Sequence, residues 1–169
     1  VTLANGVDLE RFRPPAAEPE PKRLLFIGSF AHLPNVLALE FFVQRVWPLL
    51  DPIEPTLHII AGMRHEYFLE FYKDRATVDL RGPRVEVEGF VADVRPAYER
   101  AAIVIAPLMA SAGTNIKILE AMAMGKAIVS TTRGVEGIDL VADRDAILAD
   151  TPAVFARAVI DLLHHPEHR

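Results

Sequence analysis

Apolar residues in this chain come in short continuous runs, separated by stretches in which they recur every three or four places. "RLLFIGSF" (23–30) is one such run, ended by Gly28-Ser29, and it predicts a buried strand. "PNVLALEFFVQRVWPLL" (34–50) follows, with Val36, Leu39, Val43, Val46 and Leu50 at amphipathic-helix spacing and Pro34 near its start. The alternation then repeats. "TLHIIAG" reads as a strand stopped at Gly62, and "EYFLEFYKDRA" as a helix with Tyr67, Phe68, Phe71 and Tyr72 on its apolar face. "RVEVEGF" alternates and stops at Gly89, and "VADVRPAYERA" is a short helix carrying Pro96 in its first turn. "AIVIAPL" is a buried strand ended near Pro107. "NIKILEAMAM" then reads as a helix and "KAIVST" as a strand. A short "AILAD" strand precedes "TPAVFARAVIDLLHH", a helix opened by Thr151 with Pro152 at its first position.

Continuous apolar strands alternating with helices predict a parallel sheet covered on both faces. The fold class is therefore α/β: one doubly wound, Rossmann-like domain over residues 23–169. Residues 1–22 hold a turn signal at Asn5-Gly6 and four prolines between Pro14 and Pro21, the composition of a linker leading into the domain.

Composition narrows the function. Half of the chain is apolar (51%), enough for a substantial core. The net charge of −5 and the lack of any Lys/Arg run speak against nucleic acid as a partner. There is no cysteine, which removes thiolate chemistry, disulfides and cysteine metal sites and fits a reducing compartment. The six histidines show no obvious ligand spacing with acids, so no metal is expected; "HHPEH" reads as a solvated helix end. Neither a signal peptide nor an apolar run of about 18 residues is seen, and the chain is expected to be a fragment of a longer protein.

In open parallel sheets, ligands bind beyond the carboxyl ends of the strands. The chain's unusual loops fall there: "GSFAHLPN" after the first strand, "GFVADV" after the third and "MASAGTN" after the fourth. A helix N-terminus offers unpaired N–H groups and partial positive charge to an anion. Gly113 lets a phosphate approach, Thr114 and Asn115 add donors, and Lys117 adds a full charge. Glu120, expected on the face of Lys117 while Ile116, Leu119 and Ala123 turn to the sheet, is an acceptor suited to ribose hydroxyls. Loop, lysine and carboxylate together describe a nucleotide site. The same spacing also fits a plain helix capped by Thr114, with Lys117 and Glu120 as a surface pair worth ~0.2–0.5 kcal/mol.

"KILEAMAMGKAIVST" preceded by "GFVADVRPAYERA", with "NGVDLERF", "GSFAHLPN" and "RGVEG" in the same order, resembles the C-terminal, donor-binding half of GT-B glycosyltransferases of family 4, or group 1. The resemblance covers residues 2 to 165. It implies a Rossmann-like domain that binds a nucleotide-diphosphate sugar and works with an N-terminal acceptor domain in the same chain. The reaction it implies is sugar transfer with retention, in polysaccharide, glycolipid or glycoconjugate synthesis, with neither metal nor cofactor beyond the donor. It also implies a cytoplasmic location, with peripheral contact at the inner membrane face through the other half. By resemblance Gly28 and Ser29 face the diphosphate, Phe90 and Val91 lie beside the base, and Gly113 to Asn115 lie near the diphosphate and sugar. Glu120 matches the second Glu of the family's E-x7-E motif, the ribose ligand.

Two departures stand out. The first Glu of that motif falls at Ala112, so the sugar must be held otherwise, as by backbone amides near Gly113. Many members carry an Arg and a Lys after the first two strands to neutralise the diphosphate; here those loops read "GSFAHLPN" and "AGMRHEYF", and the available cations are Lys117, the preferred one, and, less directly placed, Arg64. His32 and Glu136 also sit in loops of this edge; His32 is within range of a phosphate but reads better as a solvated loop residue, and Glu136 reads as a donor contact or, nearly as well, as a cap or turn acid. Trp47 and Phe41-Phe42 read as packing. Acceptor-side catalytic groups are expected in the other half. Two rival functions remain: a non-catalytic GT-B-like partner module, favoured by Ala112, and a nucleotide-sugar epimerase of the same fold.

Overall fold

The computed structural model describes residues 6–110 and 115–169. Six parallel strands form one sheet in the order β3-β2-β1-β4-β5-β6. These are β1 Arg23–Ile27, β2 Thr56–Ile60, β3 Val85–Glu88, β4 Ile103–Ala106, β5 Ala127–Ser130 and β6 Ile147–Leu148. Every residue of β4 is buried, and so is β1 up to Phe26, because helices cover both faces of a parallel sheet. The strand order reverses between β1 and β4, which makes the crevice beyond their carboxyl ends the expected ligand position.

The helices are α1 Leu33–Phe41, α2 His65–Phe71, α3 Arg95–Arg100, α4 Ile116–Ala123 and α5 Pro152–His164. Thr151 caps α5 by accepting from the Val154 N–H, as its sequence predicted. None of the helices among the described residues is long and apolar enough to cross a membrane.

Two helical expectations need correction. The helix predicted over 34–50 is α-helical only to Phe41; a π-turn Phe42–Val46 and a 3-10 segment Trp47–Ile53 complete it. Pro48 has no N–H for the α-helical ladder and crowds the preceding turn. The π-turn also rotates the apolar stripe, so Phe42, expected to pack, is fully buried, while Val43 is half-buried against the core. There Phe42 meets Phe155 of α5 edge-on at 5.8 Å. The second correction concerns α2, which buries no residue: Phe68 and Tyr72 are half-buried, whereas Tyr67 and Phe71 stand exposed and stacked on each other at 6.0 Å. It lies against the edge of the sheet, where too little surface exists to cover four aromatic rings.

The segment before β1 lies on the domain. Phe12 is buried against Tyr98 (ring centroids 6.4 Å apart), Arg95 donates to the Arg11 carbonyl at 3.3 Å, and the Glu20 N–H donates to the Arg100 carbonyl at 2.9 Å.

Candidate functional site

Because all six strands are parallel, the loops after β1, β2, β3, β4 and β5 emerge along one edge. The first three touch. Gly28 N–H continues the ladder to the Ile60 carbonyl at 2.9 Å, Phe30 N–H reaches the Ala61 carbonyl at 2.8 Å, and Gly62 N–H reaches the Gly89 carbonyl at 3.2 Å. Gly62 has φ +79, and a Cβ there would lie 3.0 Å from Ser29 Oγ, so glycine answers both a backbone and a space requirement.

Asn35, in the first turn of α1, organises the loop after β1. Its Nδ2 donates to the Ser29 carbonyl at 2.9 Å. Its side chain packs so closely on Gly28 that a Cβ there would come within 2.8 Å of Asn35 Cγ. Its Oδ1 accepts from Lys117 Nζ at 3.0 Å. One amide thus joins the loop of β1 to the helix after β4, across the point where the strand order reverses. Sequence reasoning did not single out Asn35; the available signal was a polar amide in the first turn of the helix that follows the Gly28-Ser29 loop, six residues after Ser29.

Lys117 is therefore not half of a surface pair with Glu120. Its ammonium lies 5.3 Å from the centroid of the Phe26 ring, and burial lowers its pKa from 10.5 to about 8. Glu120 turns instead to Tyr98, whose hydroxyl lies 2.9 Å from Glu120 Oε2 and 3.1 Å from the Lys117 carbonyl. Its single proton can serve one of these acceptors at a time. Burial raises the Glu120 pKa, opposed by the Tyr98 hydrogen bond and by the charge of Arg11. Desolvation first, and then the adjacent carboxylate, push Tyr98 far above its ordinary value, so it stays a neutral donor. Glu120 Oε1 takes no bond from any described residue. Tyr98 is a second residue that sequence reasoning missed, because an aromatic in a short helix reads as core.

The face of α4 also differs from expectation. Ile118 and Ala121, followed by Met124, turn to the sheet, while Ile116 is 48% exposed. Bonding of Lys117 to Asn35 and of Glu120 to Tyr98 fixes that rotation. Asn115 is the N-cap residue, and its Nδ2 donates to the Gly134 carbonyl at 2.6 Å, so one of its donors is already committed. Gly134 sits in a 3-10 turn Thr132–Val135 after β5, so close to the sheet that a Cβ would lie 2.2 Å from Ser130 Oγ and 2.7 Å from the Ala106 carbonyl. Gly113 and Thr114 lie outside the described residues, as does Ala112. At the start of α4 the Ile118 N–H reaches the Asn115 carbonyl at 2.9 Å, whereas the N–H groups of Ile116 and Lys117 have no acceptor within the helix.

The remaining candidates lie along the same edge. Phe90, just past β3, is 69% exposed, and Val91 beside it is half-buried. Arg64 adopts a left-handed conformation (φ 55) and stacks on the Tyr67 ring at 4.4 Å, pointing towards α2 and not Gly28. His32 is the exposed residue before α1, and Glu136 is exposed with Arg133 at 3.4 Å. Phe41 and Trp47 pack against the core, as expected of them.

Residues 21–165 match the family described as glycosyl transferases group 1. A curated relative, an uncharacterized 44.6 kDa protein in the cps region of Klebsiella pneumoniae, is 24% identical over 140 residues, covering 82% of this chain and 36% of that protein. The chain thus spans about a third of that relative's length. Among solved structures, the C-terminal domain of the group 1 glycosyl transferase LpcC from Francisella tularensis superposes with a TM-score of 0.69 at 17% identity. The match covers 96% of this chain and 90% of that one. A mutant of S. aureus TarM in complex with fondaparinux, alpha-GlcNAc-glycerol and UDP gives 0.74 at 13% identity, over 99% of this chain and 33% of that one. At these identities the superpositions establish the fold.

Proposed function

The chain belongs to the group 1 glycosyltransferases, and from that premise we propose that it is the nucleotide-sugar-binding part of a retaining enzyme. One observation carries the reading: Lys117, linked through Asn35 to the Gly28-Ser29 loop, and Glu120, held by Tyr98, stand three residues apart on α4 at the sheet's reversal point. A diphosphate placed there meets the Lys117 ammonium, the N-terminus of α4 and the backbone of residues 28–29. Glu120 Oε1 then accepts from a ribose hydroxyl, and the base lies along Phe90 and Val91.

In this reading the chain contributes positioning and stabilisation of the leaving diphosphate, with charge supplied by Lys117 and the helix N-terminus and no resident cofactor. The acceptor and its catalytic groups belong to an N-terminal domain of the same protein. UDP is the first nucleotide to try, because a structural neighbour was solved with it. Ala112 gives the non-catalytic partner module its one specific support.

An NMR titration of the chain with UDP, GDP and ADP tests the site. Amide shifts confined to Gly28–His32, Gly89–Val91 and Asn115–Glu120, saturating with one of the three, are expected. Silence from all of them at millimolar concentration, or shifts only outside these segments, would overturn the assignment.

A further inference from the structure

Two clusters among the described residues hold metal-type ligand atoms within 4.8 Å of one another. One, His58 with Glu86 and Glu88, is closed as an ion-pair network. Arg23 lies 2.5 Å from Glu86 and His58 Nε2 lies 2.6 Å from Glu88, so a guanidinium occupies the place a cation would take. The other, Asp161 with His165 and His168, is exposed and has no such occupant.

We propose that Asp161, His165 and His168 bind one divalent transition-metal ion of the zinc type. Backbone geometry assembles them. Asp161 lies in the last turn of α5, and His165, the C-cap residue just past it, still donates its N–H to the Asp161 carbonyl at 2.9 Å, so the two stand one turn apart on one face. Past His165, Pro166 starts a 3-10 turn, Pro166–His168, in which residues three apart eclipse, and His168 returns over His165. The two rings stack at 5.1 Å with 26° between their planes. His165 Nδ1 lies 3.2 Å from Asp161 Oδ1, and His168 Nδ1 lies 3.7 Å from Asp161 Oδ2. His165 Nδ1 also lies 3.1 Å from the Asp161 carbonyl, a contact the ion would replace.

Two imidazoles and a carboxylate suit zinc, copper or nickel, whereas magnesium and calcium favour all-oxygen sets. A tetrahedral zinc site with bonds of about 2.1 Å places its ligand atoms about 3.4 Å apart, so these exposed side chains need close by only an ångström or so. Arg169 does not compete, since its guanidinium donates to the Pro21 carbonyl at 3.3 Å. A cavity of about 340 Å³, lined in part by Asp161, His168 and the start of β5, leaves room for water ligands. The start of β5 places this site at the opposite edge of the sheet from Lys117 and Glu120. The ion would fasten the turn after α5 to the helix, and the proposal stands apart from glycosyl transfer.

The test uses untagged, chelator-treated chain titrated with zinc sulfate by calorimetry, and with copper(II) by electron paramagnetic resonance. One zinc per chain and a copper spectrum with nitrogen hyperfine splitting are expected. His165→Ala and His168→Ala should each weaken zinc binding tenfold or more, with circular dichroism unchanged because both residues are exposed. His164→Ala, the adjacent histidine outside the cluster, should retain it. Absence of saturable binding, or binding that survives both cluster substitutions, would overturn the proposal.

Discussion

At the scale of single residues, Lys117 is the group whose surroundings make the sharpest prediction. Burial lowers its pKa from 10.5 to about 8, so its charge is lost within an accessible pH range. A bound diphosphate favours the protonated form, and UDP affinity should therefore fall as pH rises from 7 through 9. Lys117→Met should lower affinity at pH 7 by roughly 10- to 100-fold, from the ~1.5–3 kcal/mol of a charged hydrogen bond, and abolish that pH slope. Calorimetric titrations across the range check both. The same shift carries the opposite sign for folding. Between about 8 and 10.5 the unfolded chain binds the proton and the folded chain does not, so stability rises with pH across this window. Denaturant unfolding of Lys117→Met should show that rise flattened and, at pH 7, stability raised on the order of 1 kcal/mol.

Elements repeat this logic with backbone groups. Helix α5 carries buried Phe155, Ala156, Ala158, Val159 and Leu162, and its free N–H at Val154 is met by Thr151. Thr151→Ala should cost about 1 kcal/mol of stability, read as a shift of the urea midpoint at constant slope, and leave nucleotide affinity unchanged because the Thr151 side chain bonds Val154 and none of the proposed nucleotide-binding residues. Strands, the Thr151 cap and the Pro96 turn were legible in the sequence because each depends on a few adjacent residues. The broken helix after α1 was less so. Period alone put Val43 on the stripe, and the π-turn that buries Phe42 more deeply brings it against Phe155, more than a hundred residues away. The exposed aromatics of α2 follow the same rule, since helical spacing states which residues share a face and not whether anything covers it.

At the scale of the whole molecule, this chain spans 36% of its curated relative's length, so the proposed transfer is tested on full-length protein. In the full-length protein, Glu120→Ala should abolish or severely reduce sugar transfer while leaving thermal unfolding nearly unchanged, because the carboxylate is half-buried and not part of the core. Transfer that survives intact would sink the ribose role, and a wild-type protein that binds UDP without transferring would favour the partner-module reading. Product analysis of the same reaction separates transfer from epimerisation.

The sequence by itself determined the doubly wound sheet and the candidacy of Gly28, Ser29, Lys117 and Glu120 at one edge of it, because period, turn chemistry and loop position are local properties. Tertiary structure alone decided who partners whom. Lys117 meets Asn35 across 82 positions, Glu120 meets Tyr98 across 22, and Asn115 meets Gly134 across 19. Buried polar groups must find a hydrogen-bond partner wherever the fold brings one, and no spacing rule reaches between elements that only the sheet places side by side.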